Sequence, residues 1–473
     1  MGYTNKVYQT LTTLDAATHR RLNKYILSPY FNQSKTLLRL YEIFRQTLET
    51  NPEGFDRQEV WAQLFPDTKY EDVNFRKCCS DLLKLVEDFM AQETAMNDPA
   101  RRQIDLLEYV VRNKVEHLYN SALRQTRAIL APGSYRSLEF FKNSYRTERL
   151  YYEMMNFDVT LNTRANLEEI SLHLDVFYWI EKLKLYSSVL SQRRTGNFVY
   201  ELHFNEEILT FLQTFDMAQQ PELAIYYNSF LTLFDEGNDQ FYFRLRKLLD
   251  EFGAAMPKKE AIELYDSALH YCTGKLNKGN QLFLKEYFDL FEAGLEKGVF
   301  ILNGELATWR FNNTTAVALR LGKLDWAESF IEKYKAHLPA DTRENTYTFN
   351  LARLYRYQRK FDQVLALLRN LEYEDIGYNL LSKTMLLNAY YELEEHDALE
   401  SFMESFRVFL NRQKNIPQAR KKSYLNLIKY VRRLTRIAPS DKAALAKLKK
   451  ELIQEKANHV NHEWLMEKIA ELE

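Results

Sequence analysis

Glycine and proline are scarce in this chain. Its 473 residues include 13 Gly and 10 Pro, about 5% together where an average chain carries roughly 12%, so there is little material for the tight turns of a many-stranded sheet. Cysteine is scarcer still. Cys78, Cys79 and Cys272 are an odd number with no CxxC or Cys/His spacing, which argues against a disulfide framework or a zinc ribbon and fits reduced cytoplasmic thiols. No run approaches the roughly 18 uncharged apolar residues that a membrane span needs. Residues 1–6 lead into polar sequence without the apolar region of an export signal. Dinucleotide (GxGxxG), zinc-protease (HExxH) and serine-hydrolase (GxSxG) motifs are missing, and Gly274-Lys275-Leu276-Asn277-Lys278-Gly279 has the wrong order for a phosphate loop. No cofactor, metal or catalytic residue is expected.

What is present is apolar and aromatic. Hydrophobic residues make up 46% of the chain, with 31 Tyr and 30 Phe, enough to bury a large core. At this length one core is not enough, and several domains or a repeat array are expected. The formal charge of −1 hides an asymmetry: residues 411–456 hold fourteen Lys or Arg against Asp441, Glu451 and Glu455, a basic block at the C-terminal end.

The first hundred residues read as short helices. One spans 15–27 and stops at Pro29, the next spans 34–50 and ends at Asn51-Pro52, and Asp56 with Glu59 forms a capping box for a helix ending before Phe65-Pro66. A longer helix over 71–92 carries apolar residues at Phe75, Cys79, Leu82, Leu83, Leu85, Val86 and Phe89. Together they suggest a helix-turn-helix-like module over 1–97. Helical hairpins with short polar turns follow over 98–300. Alternation in 197–205 hints at a strand with nothing to pair with, so it reads as an extended connector.

Three phrases then repeat. Gly322-Lys323-Leu324-Asp325-Trp326-Ala327, Arg359-Lys360-Phe361-Asp362-Gln363-Val364 and Glu394-Glu395-His396-Asp397-Ala398-Leu399 each join two amphipathic stretches, with their aspartates 37 and 35 residues apart. Such a period belongs to stacked helical hairpins, because one hairpin cannot bury its apolar face without a neighbour.

These units resemble tetratricopeptide repeats. Gly322, Asp325, Ala327, Pro339 and Thr315 carry the resemblance in the first, Ala352, Tyr355, Phe361 and Asp362 in the second, and Tyr390 and Asp397 in the third. Arg359 and Glu394 stand where the family has its turn glycine, Leu324, His396 and Ala318 replace aromatics, and Leu387 fills a small position. The chain is also similar, through Ser-Pro-Tyr-Phe-Asn at 28–32, to uncharacterised bacterial helical-repeat proteins, which implies no activity. The fold expected is all-α: a superhelical stack of tetratricopeptide-like hairpins, clearest over 301–411, with the N-terminal module and basic capping helices over 412–473.

The resemblance implies a concave groove lined by the first helix of each unit. Transferred by register, its positions are Trp309, Asn312, Asn313, Ala316 and Arg320, then Phe349, Asn350, Arg353, Arg356 and Tyr357, then Thr384, Asn388, Tyr391 and Glu392. Arginine and asparagine would hold a peptide's carbonyls and carboxylates, with the aromatics as anchors. About half of the aromatics are expected to be exposed and the rest to belong to the core.

A second surface is basic. Lys422, Lys429, Arg432, Arg433 and Arg436 share one helical face opposite Tyr424, Leu427, Ile428, Val431 and Leu434. Its plain explanation is a solvated cap for the last repeat; its functional one is docking of an acidic partner. Two clusters look faintly like sites. His459, His462 and Glu463 fit surface polar residues better than metal ligands. Cys272 falls off the face shared by Asp266 and His270, so a nucleophile and base are not paired there.

The function expected is a non-enzymatic, cytoplasmic scaffold or adaptor that binds a protein or peptide, an acidic one for the basic face, with no membrane span and an oligomeric state the sequence leaves open. The alternative is a peptide- or ligand-sensing transcription regulator whose N-terminal module contacts DNA. A net charge of −6 over 51–99 opposes the phosphate attraction that nucleic-acid binding needs.

Overall fold

A computed structural model describes residues 3–131, 133–155, 164–195, 198–201, 205–369, 371, 373, 375–438, 441–455 and 460–473. Its contacts divide the chain into two compact units, Met1–Tyr178 and Trp179–Glu473. The first holds the N-terminal module and the start of the 98–300 segment, and the second holds the rest. The chain is all-α.

Unit one is built from α1 (Lys6–Thr12), α2 (Ala16–Leu27), α3 (Lys35–Thr50), α4 (Arg57–Leu64), α5 (Asp72–Met96), α6 (Pro99–Arg112), α7 (Tyr119–Ile129), α8 (Leu138–Met155) and the first part of α9 (Leu167–Thr195). Short polar side chains start the early helices. Asn5, Asp15, Ser34, Asp56 and Asp98 each accept a backbone N–H from the first turn that follows, which satisfies donors no helix can satisfy itself. Helices α1 to α5 enclose one apolar cluster in which Tyr8, Phe44, Phe55, Trp61 and Phe75 meet. A smaller cluster joins α6, α7 and α8 through Ile104, Leu107, Leu123 and Leu150, and above it Glu148 accepts two bonds from Arg127.

Unit two continues from α9 with α10 (Asn205–Thr214), α11 (Pro221–Phe234), α12 (Gln240–Phe252), α13 (Lys258–Asn277), α14 (Leu282–Glu296), α15 (Thr308–Arg320), α16 (Leu324–Tyr334), α17 (Arg343–Tyr357), α18 (Phe361–Leu368), α19 (Ile376–Glu392), α20 (His396–Arg412), α21 (Gln418–Leu434), α22 (Lys442–Gln454) and α23 (His462–Leu472). Consecutive helices from α11 to α20 pair as hairpins, and α15, α17 and α19 pack in turn on one another. Neighbour-on-neighbour packing of this kind is what helical repeats produce.

The repeated phrases form one structure three times. Gly322, Arg359 and Glu394 all have positive φ, 73°, 58° and 57°, and each is followed by a bond reaching back five residues: Lys323 N to Ala318 O, Lys360 N to Tyr355 O, and Glu395 N to Tyr390 O. This is the Schellman end, whose left-handed residue is normally glycine. The same bond joins Asn280 N to Lys275 O after Gly279, which has φ 90°. The lysine-glycine stretch dismissed as a phosphate loop is therefore the turn of the α13/α14 hairpin, 43 residues before Gly322. Glu394 is exposed and carries a backbone strain that glycine would not. Glu394→Gly is expected to stabilise unit two by about 0.5 to 1 kcal/mol, measured by denaturant unfolding. At Arg359 the same change removes contacts to three carboxylates and should gain nothing.

One strand pair exists among the described residues, away from the stretch that hinted at one. β1 (Ile301–Leu302) and β2 (Glu305–Leu306) pair antiparallel across Asn303-Gly304, both with positive φ (52° and 86°), the turn that suits a tight hairpin. Of 197–205, residues 197 and 202–204 lie outside the described residues, and 198–201 are neither helix nor strand.

Helices α20 to α23 close the C-terminal end around Leu399, Phe406, Leu427, Val431, Leu448, Leu465 and Ile469. The face of α21 carrying Tyr424, Leu427, Ile428, Val431 and Leu434 is buried, as its spacing requires.

Candidate functional site

The first helices of the hairpins bring polar and charged side chains together, and the chain of contacts can be followed from α11 to α19. A cleft of about 830 Å³ lies between α9, α11 and α13, lined by Lys184, Ser187, Ser229, Glu263, Asp266 and His270 among others. Lys184 pairs with Glu263 at 3.1 Å, and the Ser229 and Ser267 hydroxyls meet at 3.0 Å. Asp266 then accepts Arg310 of α15 through two N–H groups, while His270 stacks on Trp309 at 5.1 Å. This upstream part escaped the sequence reading because α11 and α13 carry no tetratricopeptide signature. The serines and Glu263 on one face of successive helices were the available signal.

Several residues expected on the groove surface are instead buried. Asn312, Phe349, Asn350, Thr384 and Asn388 are closed off from solvent. Phe349 packs in a cluster with Ala352, Val364 and Tyr373, so it is core rather than anchor. The asparagines form a layer. Asn350 donates to Asn312 Oδ1 and to Thr346 O, and Asn312 donates to the Tyr378 hydroxyl at 2.6 Å. Buried amide N–H groups must find partners, and that of Asn350 finds Asn312 across α15 and α17, while Asn350 Oδ1 accepts no bond from the described residues. Trp309, Ala316, Arg353, Arg356 and Tyr391 are partly exposed, and Asn313, Arg320 and Tyr357 are exposed. Arg320 donates to Gln281 at 2.9 Å.

Arg353 and Arg356 sit one turn apart on α17. Arg353 Nη1 donates to the Asn312 carbonyl at 3.0 Å, and its guanidinium lies 5.4 Å from the Phe349 ring centroid. Desolvation pulls its pKa down from 12.5 to about 10 against the opposing influence of Tyr357. Arg356 is lowered by the same cause, with Tyr357, Glu467 and Glu392 opposing.

At the far end of this face, α23 packs beside α17 and α19. With the Asn388 amide turned so that it donates to Thr384 O at 3.0 Å, its oxygen accepts from Asn461 Nδ2 at 3.0 Å and Arg356 Nη2 at 3.2 Å. Trp464 of α23 lies edge-on to Tyr391 at 5.2 Å and donates to Glu392 at 2.7 Å. Lys468, with a side chain 1% exposed, reaches the same carboxylate at 2.8 Å. Burial disfavours its charge, yet the hydrogen bonds it donates to Glu392 and Glu471 outweigh it and raise its pKa. A cleft of about 580 Å³ remains between Arg356, Tyr357, Asn461, His462 and Trp464.

The basic face of α21 is partly neutralised. Arg432 pairs with Glu400 at 3.0 Å and Arg433 with Glu451, while Lys422, Lys429 and Arg436 stay exposed. Of the two faint clusters, only the one around Cys272 lies wholly among the described residues. Cys272 is buried against Tyr242 and its thiol is pushed up to about 12, which removes thiolate character, and Asp266 and His270 are engaged as above. His459 lies outside the described residues, and no group of three metal-ligating side chains occurs among the described ones. No described helix is long and apolar enough to cross a membrane.

Compared with protein-family models, curated proteins and solved structures, the chain matches none.

Proposed function

We propose that the chain is a cytoplasmic, non-enzymatic scaffold or adaptor whose second unit is a tetratricopeptide-like stack, binding a protein or peptide along the first helices of its hairpins. One observation carries the reading. From Glu263 to Arg356 the side chains on this face are polar, aromatic and interconnected, and clefts of about 830 and 580 Å³ lie at its two ends. An extended peptide needs this mixture of hydrogen-bonding groups and apolar anchors. The three cysteines are free thiols, as a reducing compartment keeps them. With Phe349 in the core, the accessible anchors are Trp309 and Tyr357.

Photo-crosslinking tests the assignment. A benzoylphenylalanine placed at exposed Asn313, on the groove side, should yield adducts in native lysate. The same group at exposed Glu328 on α16, a second helix, should yield none of those adducts. Equal labelling from both positions, or labelling from Glu328 alone, overturns the groove.

A further inference from the structure

Charge along this face is closed into pairs almost throughout. Lys184 meets Glu263, Arg310 grips Asp266, and Arg359 and Lys468 share Glu392, Glu467 and Glu471. Arg353 departs from that pattern. Among the described residues no carboxylate lies within 4.0 Å of either Arg353 or Arg356, whose hydrogen bonds run to neutral oxygens of Asn312, Asn461 and Asn388. Neutral oxygens satisfy N–H groups but do not cancel charge. A guanidinium carries five donors in a rigid fork, and Arg353 uses one of them on Asn312 while its side chain keeps partial access to solvent.

The charge that needs balancing is single. Arg356 already feels Glu392 and Glu467, whereas among the described residues no carboxylate pairs with Arg353, and the main charges it feels are those of Tyr357, Arg356 and Tyr378. A monoanion fits this imbalance, and a phosphate dianion would meet the field of Glu392 and Glu467. Building on the scaffold reading, we propose that Arg353, supported by Arg356, receives a carboxylate of the bound peptide in a charge-assisted fork. The carboxylate comes either from an Asp or Glu side chain or from a free chain end.

The test titrates the full chain calorimetrically with four probes: acetyl-pentaglutamate amide, acetyl-pentaglutamine with a free carboxyl end, acetyl-pentaglutamine amide, and inorganic phosphate. One or both carboxylate-bearing peptides should bind about tenfold or more tighter than the neutral amide, and which one does so identifies the source. The preference should vanish in Arg353→Met and in Arg353→Gln, recover in part in Arg353→Lys, and survive Lys422→Glu with Lys429→Glu on α21. Both neutral variants should keep the wild-type thermal midpoint or exceed it, because they delete a charge without a counter-ion. Phosphate binding alone, a preference unchanged in both neutral variants, or a preference lost only with the α21 lysines overturns the proposal. If acidic and neutral peptides bind alike, the carboxylate site falls while the scaffold stands. The scaffold itself falls only if the Asn313 crosslink also fails.

Discussion

Glu392→Ala is expected to cost about 3 kcal/mol of stability, because it removes the anion from beneath a buried lysine. The Glu392 side chain is 10% exposed and joins three donors: Lys468 at 2.8 Å, Trp464 Nε1 at 2.7 Å and Arg359 at 3.4 Å. Without it Lys468 keeps Glu467 and Glu471, whose side chains are 46% and 48% exposed and so screened by water, while the Trp464 N–H loses its acceptor. Urea unfolding of the variant should show the loss. Hydrogen exchange should place it first in α23 and the facing part of α19. Glu392→Leu combined with Lys468→Met should recover most of it, since an apolar pair of similar volume replaces a buried ion pair at little cost. If Glu392→Ala is as stable as wild type, α23 is not held to α19 by this pair. The result also bears on binding. Loosening α23 frees the end of the face beside which it packs, and peptide affinity at Arg356 should change with it.

Gly294→Ala is expected to destabilise by about 2 kcal/mol, from overpacking rather than lost charge. A Cβ at Gly294 would come within 2.9 Å of both the Phe300 and the Tyr265 rings. Neither ring has room to move: both are fully buried, Phe300 is stacked on Phe291 at 4.8 Å, and Tyr265 is bonded to the Leu249 carbonyl. The cost follows from the density of a core at which one methyl is felt. A thermal midpoint unchanged in Gly294→Ala would contradict this packing. Gly304→Ala, at a turn position with φ 86° and open space around it, isolates the contribution of backbone strain alone.

Architecture was more legible than site. The scarcity of glycine and proline, the capping residues at Asp15, Ser34 and Asp56, and the period of the three turns are local signals, and local chemistry decides helices and their ends. Even the divergent turns kept their meaning, since Arg359 and Glu394 adopt the left-handed backbone that Gly322 adopts. Asn303-Gly304 was equally legible as a hairpin and went unread among the repeat turns. The groove was legible only in part. Register placed Asn312, Asn350 and Asn388 on the first helices, but periodicity does not distinguish a residue facing a cavity from one facing the next helix. The structure bonds the first two to each other and the third to Asn461.

The sequence by itself determined the helices, their stops and the repeating turn, because each depends on residues within a few positions of one another. Tertiary structure alone decided that α23 returns to pack on α19 and that Lys468 lies buried on Glu392, 76 residues before it. It also decided that Arg353 is left without a counter-ion among the described residues. Charge pairing is a property of distances in space, and no spacing along the chain encodes which arginine will find its carboxylate taken by another.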